Sequence, residues 1–353
     1  MDETAPEGKT KFTIGDSTFI IDNRYEFLKI IGRSAWGFAV SAIDHKINSR
    51  VSIKKITTEE DLDEVKNILR EIKLLNFFNH ENIIKMYNIE LYPDTRNYND
   101  LYIVTDLMEA DLHRVIRSEI ELTNEHIQYL MYQLLRGVLH MHSADVIHWD
   151  LKPSNVLINS NCDLKISGFK LAKECGKAVK IDEWICARWY RSPELMLNCS
   201  VFTKKADIWS CGSIFAELLG RSPLFPCKDS VDFLWCITQL LGTTSPDDIF
   251  FIDSPAAETY IANLPDKEKT SWSSLYPNAD PLALDLLDKM IVINPEKRWA
   301  ASHCLEHPYF KDLHDIEDEP LASESFNWDF ENCEPSIGAV KNLIYEEASK
   351  FHH

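Results

Sequence analysis

His148-Trp149-Asp150-Leu151-Lys152-Pro153-Ser154-Asn155 stands between a stretch of helical periodicity and the short apolar run Val156–Ile158. Three polar residues of distinct chemistry fall within six positions. Asp150 can accept a proton from a hydroxyl, Lys152 can neutralise phosphate, and the Asn155 carbonyl oxygen can ligate magnesium. Taken alone, the string is no more than a polar turn, so its meaning depends on the chain around it.

Upstream lie a weakly ordered leader with an edge strand at 18–21, then strand-like runs at 25–31, 38–44 and 50–56. Gly32-Arg33-Ser34-Ala35-Trp36-Gly37 breaks the first two runs as a hairpin does. From 61 to 77, Leu62, Val65, Ile68, Leu69, Ile72 and Leu75 recur at three- and four-residue steps, which predicts one amphipathic helix. Strands at 85–91 and 101–107 complete this β-rich part. Glu71 lies one turn from both Ile68 and Leu75, on the apolar side of the helix. A buried, unpaired carboxylate is costly, so a cation is expected opposite it. The strand at 50–56 offers Lys54 and Lys55, which face opposite ways. Val51 and Ile53 share a face with Lys55, so alternation leaves open which lysine points inward.

After Met108 the pattern turns helical. Thr123 is the expected N-cap of a helix running to about His142. The run 206–219 is apolar nearly all round, as a helix at the centre of a large lobe would be. An amphipathic segment follows at 340–351. The fold class is α+β: a small β-rich lobe with one helix, then a large, mainly helical lobe. The expected boundaries are a leader at 1–23, an N-lobe at 24–107, a C-lobe at 108–310 and a C-terminal extension at 311–353.

Composition narrows the function. The 353 residues carry 37 Lys+Arg against 56 Asp+Glu, a net charge of −19. Such a field repels a phosphate backbone, which makes nucleic acid a poor partner and basic peptides better ones. No window reaches eighteen uninterrupted apolar residues, so no membrane span is expected. The start lacks a secretory signal and a glycine at position 2, and the final Phe-His-His is no prenylation box. Nine cysteines at irregular spacing between Cys162 and Cys333, with no CxxC pair, point to reduced thiols in the cytoplasm or nucleus.

In family order, the glycine-containing loop from Gly32, Lys54 with Glu71, the stretch His148–Asn155, Ser192-Pro193-Glu194 and Asp207-Ile208-Trp209-Ser210 resemble a eukaryotic protein kinase. Arg298 falls where that family places the partner of Glu194. Arg188-Trp189-Tyr190-Arg191, Leu284-Asp285-Leu286-Leu287-Asp288-Lys289-Met290 and Asp315-Ile316-Glu317-Asp318-Glu319-Pro320 narrow the resemblance to the mitogen-activated protein (MAP) kinases, of the extracellular-signal-regulated and fungal mating-pathway types. The resemblance implies a bilobal kinase fold, with catalytic positions at Asp150 and Lys152. It implies ATP contacts at Gly32, Gly37, Ala39, Lys54, Glu71, Thr105, Met108 and Asn155, and a docking surface for basic peptides at Asp315, Asp318 and Glu319.

The chain departs from that pattern at its chemical parts. Gly168-Phe169-Lys170 stands where the family has Asp-Phe-Gly, so the carboxylate that holds magnesium is missing and Asn155 is the sole metal ligand left. Ser34 replaces the middle loop glycine, Ala39 the valine and Trp149 the catalytic-loop arginine. Asp182-Glu183-Trp184 replaces the phosphorylated Thr-x-Tyr. The expectation is a MAP kinase-like pseudokinase acting as scaffold, decoy or allosteric partner, with magnesium binding weakened or absent; the alternative is a weak, phosphorylation-independent Ser/Thr kinase. Lys170 offers a compact cation that could reach a phosphate without a divalent ion, against the alternative that it points to solvent.

Overall fold

Alternation in strand β5 (Ser49–Thr57) settles the two lysines, because each finds a different partner. β5 sits in an antiparallel five-stranded sheet with β3 (Tyr25–Ser34), β4 (Gly37–Asp44), β6 (Met86–Tyr92) and β7 (Asp100–Asp106), in the order β3-β4-β5-β7-β6. Val40, Ala42, Val51, Ile53, Tyr102 and Val104 form its core. Lys55, 6% exposed, bonds the Thr18 carbonyl and pairs with Asp100 at 2.8 Å. Lys54, on the other face, meets helix α1 (Leu62–Phe77) through Glu71. Asp61 caps α1 by accepting from the amides of Asp63 and Glu64, and Val65, Ile68, Leu69 and Ile72 are buried along it, as the periodicity predicts.

The computed structural model describes residues 5–34, 37–58, 61–177, 188–197, 203–243, 245, 248, 249, 251, 252, 259–261, 263–334 and 336–351. They fall into two compact units. One takes in the described residues up to Asn79, then Ile84–Met108 and those from Asn327 on; the other takes in His80–Ile83 and Glu109–Phe326. The sequence boundaries change in two places. The leader is not weakly ordered from residue 9 on: β1 (Lys9–Ile14) pairs antiparallel with β2 (Ser17–Asp22), and Phe19 and Ile21 join the sheet core. The expected 311–353 extension is divided between the two units. Its helix, Ile337–Ser349, is tied to α1 by Lys73–Glu347 at 2.5 Å, and Glu331 holds Arg70 through two hydrogen bonds.

The helical unit is organised by Asn124–Ser143, which Thr123 caps, and by Lys205–Gly220, buried along most of its length. A fully desolvated pair, Glu194 with Arg298 at 2.8 and 3.0 Å, joins the short helix Pro193–Met196 to the region after Pro281–Met290. Arg298 also donates to the carbonyls of Val292, Ile293 and Lys205, which spends its remaining protons and makes the burial tolerable.

Candidate active site

In the β-rich unit, strand register brings the candidate residues together. Gly32 pairs with Ala39, Ala39 with Lys54, and Lys54 with Ile103, so these positions form a row across four strands on one face. Thr105 is two residues on from Ile103 and shares that face; Met108 is half-buried just beyond the strand. Gly37 has φ +138°, and a Cβ there would lie 2.3 Å from the Lys55 carbonyl oxygen, so only glycine fits the hairpin. Lys54 Nζ lies 3.7 Å from Glu71 Oε2. This is an ionic contact without a hydrogen bond, and that Glu71 oxygen is buried with no hydrogen-bond partner among the described residues.

In the helical unit, the loop 148–155 is held from beneath by Asp207, near the start of Lys205–Gly220. Its carboxylate accepts from His142 Nε2 at 2.8 Å and from the amides of His148 and Trp149 at 2.9 and 3.0 Å. Burial alone would raise the Asp207 carboxyl; the bond from His142 and the bond from the His148 amide outweigh it and hold it below the usual carboxylate range. Burial lowers the His148 imidazole, which keeps it neutral. A neutral ring fits its contacts, donating from Nε2 to the Ser167 carbonyl at 3.0 Å and accepting at Nδ1 from the Asp150 amide at 3.3 Å. Asp207 is the site residue whose role the sequence reading missed. Its signal was an acid inside a run apolar nearly all round, where a carboxylate needs donors.

Asp150 is already occupied. Lys152 Nζ donates to its Oδ2 at 2.7 Å, and Asn155 Nδ2 donates to the same oxygen at 3.0 Å and to the Asp150 carbonyl at 2.7 Å. Gly168 is left-handed, at φ +85° and ψ 48°. A Cβ on it would lie 2.7 Å from Asn155 Cγ and 2.8 Å from Asn155 Oδ1, so the Asn155 amide fills the space a side chain at 168 would need. This arrangement does not fit a magnesium ion. Position 168 supplies no donor, Asn155 offers one neutral oxygen, and the Asp150 carboxylate faces an ammonium. Among the described residues no group of three or more His, Cys, Asp or Glu side chains gathers as a metal site.

Lys170 lies in the turn Phe169–Leu171 with its ammonium buried, not pointed at water. Trp149 is 9% exposed and left-handed at φ +68°, an uncommon conformation for a bulky residue. Its ring packs with Ile147, Leu195 and Ala206, against partly buried Cys175, Leu197 and Phe251, and the Lys173 ammonium sits 5.8 Å from its centroid. Asp182 and Trp184 lie outside the described residues.

The docking candidates separate. Asp315 and Asp318 are exposed, although Asp318 also pairs with Arg136 at 2.7 Å. Glu319 does not belong with them. It is 8% exposed and bonds His314 Nδ1 at 2.7 Å, because an acid turned inward at this bend needs a donor that solvent cannot supply.

This fold and loop architecture define a protein kinase, and residues 25–310 match the family model described as protein kinase domain. The chain is 44% identical over 348 residues to mitogen-activated protein kinase homolog NTF6 of Nicotiana tabacum, covering 98% of this chain and 94% of that protein. It is 45% identical over 342 residues to mitogen-activated protein kinase 4a of Physcomitrium patens, covering 96% and 91%. To mitogen-activated protein kinase 5 of Oryza sativa subsp. indica it is 42% identical over 339 residues, covering 96% and 92%. The chain belongs to the mitogen-activated protein kinase family.

Proposed function

We propose that this MAP kinase relative works by binding and not by phosphoryl transfer: a pseudokinase that serves as scaffold, decoy or allosteric partner in a phosphorylation pathway. The observation that carries the reading is Gly168 with Asn155 packed against it, which removes the metal-holding carboxylate and fills its place. Losing one preorganised charge-stabilising group typically costs roughly 10²–10³ in rate, and a lost metal anchor at least as much. A transfer assay with magnesium or manganese, comparing the wild type with Asp150→Ala, tests it. No transfer above the Asp150→Ala background is expected; activity that disappears in the variant establishes the weak-kinase alternative, with Asn155 as sole metal ligand.

Nucleotide binding in this reading is independent of a divalent ion. Gly32, Gly37, Ala39, Thr105 and Met108 remain for the base and backbone contacts, and Lys54, Lys152 and Lys170 supply cations for phosphate. The buried ammonium of Lys170 supports its assignment away from solvent. ATP should raise the melting temperature in the presence of EDTA, and the rise should shrink in Lys170→Gly. A shift abolished by EDTA overturns the metal-independent reading.

The partners are proteins with basic docking peptides, received by Asp315 and Asp318 in the cytoplasm or nucleus. The seven described cysteines are all free, as a reducing compartment favours. No helix among the described residues is long and apolar enough to cross a membrane.

A further inference from the structure

Residues 320–326 form an irregular strap along the end of the helix Asn124–Ser143, within the helical unit. Hydrogen bonds at four points hold the strap there. His140 Nδ1 meets the Pro320 carbonyl at 2.8 Å, the Ala322 amide donates to Ser143 Oγ at 2.7 Å, and the Phe326 amide donates to the Ala144 carbonyl at 2.9 Å. These three use the strap's backbone. The fourth uses a side chain: Ser325 Oγ donates to Asp145 Oδ2 at 2.8 Å.

Asp145 is a junction. Its backbone is left-handed at φ +59°, a conformation that aspartate enters more readily than most residues. Its Oδ1 accepts from Lys204 Nζ at 2.6 Å, and its carbonyl accepts from the Cys175 amide at 3.0 Å. The bonds from Lys204 and Ser325 hold its carboxyl below the usual carboxylate range. Lys204 thus balances the charge of Asp145, and Ser325 adds a donor that carries none. Ser323, Glu324 and Ser325 are all exposed on irregular chain, where a modifying enzyme can draw a serine into its own cleft.

We propose that Ser325 is a phosphorylation site and that its modification unlatches the strap. In the step, Ser325 Oγ forms a bond to the γ-phosphorus of ATP and the bond from that phosphorus to the bridging oxygen breaks. ADP leaves, and the hydroxyl proton passes to the base of the serine/threonine kinase that modifies this chain. The product inverts the contact. A neutral donor becomes a phosphate of about −1.5 to −2 charge, set against a carboxylate. Lys204, with one positive charge, cannot balance both anions. The strap therefore parts from Asp145, and its ties at Ala322 and Phe326 open more often. The latch works whether or not this chain itself transfers phosphate, because Ser325 is the acceptor.

Phosphoserine placed at position 325 of the full chain during translation, followed by hydrogen exchange read by mass spectrometry, tests the latch. Exchange in 320–326 should be about tenfold faster or more than in the unmodified chain, with the interior of Asn124–Ser143 unchanged. Ser325→Ala, which loses the bond and adds no charge, should speed it only about threefold. Asp145→Asn in the phosphorylated chain should return exchange to within about threefold of the unmodified chain, because the asparagine amide donates to phosphate. Unchanged exchange in 320–326, an acceleration shared by the helix interior, equal effects of phosphoserine and alanine, or no rescue by Asp145→Asn would each overturn the latch. Use of the site is read by phosphopeptide mapping of the chain isolated from the cells that make it. Phosphate on Ser325 is expected; a 325 peptide recovered only in unmodified form, in resting and stressed cells alike, overturns the assignment.

Discussion

Glycine 168 does two things at once, since it removes a carboxylate and adopts a backbone that other residues enter at a cost. Restoring the acid therefore does not simply restore a metal site. Gly168→Asp should destabilise the chain by about 1–2 kcal/mol, from left-handed strain and the contact with Asn155. Adding Asn155→Ala should recover part of that loss, and a double-mutant cycle by urea unfolding measures the coupling. Trp149 gives a second expectation. Its ring is buried among Ile147, Leu195 and Ala206, and Trp149→Arg would put a cation into that apolar cluster with Lys173 nearby. A loss of about 3 kcal/mol or more is expected, with Trp149→Phe losing less than half as much. Equal melting temperatures for the arginine variant and the wild type would show that the cluster contributes little.

Among the elements, α1 depends on residues far along the chain. Glu347 is 4% exposed and receives Lys73 and Lys350, while Arg70 bonds Glu331 twice. Burial would raise the Glu347 carboxyl, but bonds from the two lysines hold it below its ordinary value. That contribution is present above the unfolded carboxyl's pKa and is lost as pH falls through the lower folded value. Glu347→Gln should cost about 1–2 kcal/mol and speed hydrogen exchange in Ile337–Ser349 more than in Asn124–Ser143. Uniform exchange across both helices would contradict the local role. None of these partners was visible in the α1 sequence. Its periodicity was, because it is set within five residues of each position; the Asp61 cap is equally local but was not read from the sequence. The same distinction explains Lys55, whose partner Asp100 is tertiary; the pairing of Lys54 with Glu71 was expected, from the inward acid and from the family resemblance. It also explains Glu319, one acid in an acidic run until the bend brings His314 to it. Strand β1 was missed because Lys-Thr-Lys-Phe-Thr-Ile buries only Ile14 fully and gains its identity by pairing with β2.

For the molecule as a whole, acid is the predicted weakness. The His80 ring lies tilted against that of His140 with centroids 4.6 Å apart, and burial, with the charge of His140 and Arg136 added, lowers its pKa to about 3. Burial lowers His148 as well. As pH falls below about 6.5 the unfolded chain binds protons that these buried rings refuse, so stability falls with pH down to the folded value. Each such histidine adds a slope of up to about 1.4 kcal/mol per pH unit. His80→Asn, whose amide oxygen can still accept from the Asn82 amide as His80 Nδ1 does, should flatten the profile between pH 6 and 4.5, which lies below the roughly 6.5 of the unfolded ring and above the folded value of about 3. An unchanged slope would place the acid sensitivity elsewhere.

The contact between Gly168 and Asn155 also sets an order on descent. While Asn155 keeps its amide against Asp150, every substitution at 168 meets an occupied space, so selection for a carboxylate there meets resistance at its first step. Making room means turning the Asn155 amide, the movable end of a short side chain, and that turn gives up its two hydrogen bonds to Asp150. The two positions are therefore coupled in descent: what is tolerated at 168 depends on how residue 155 is held.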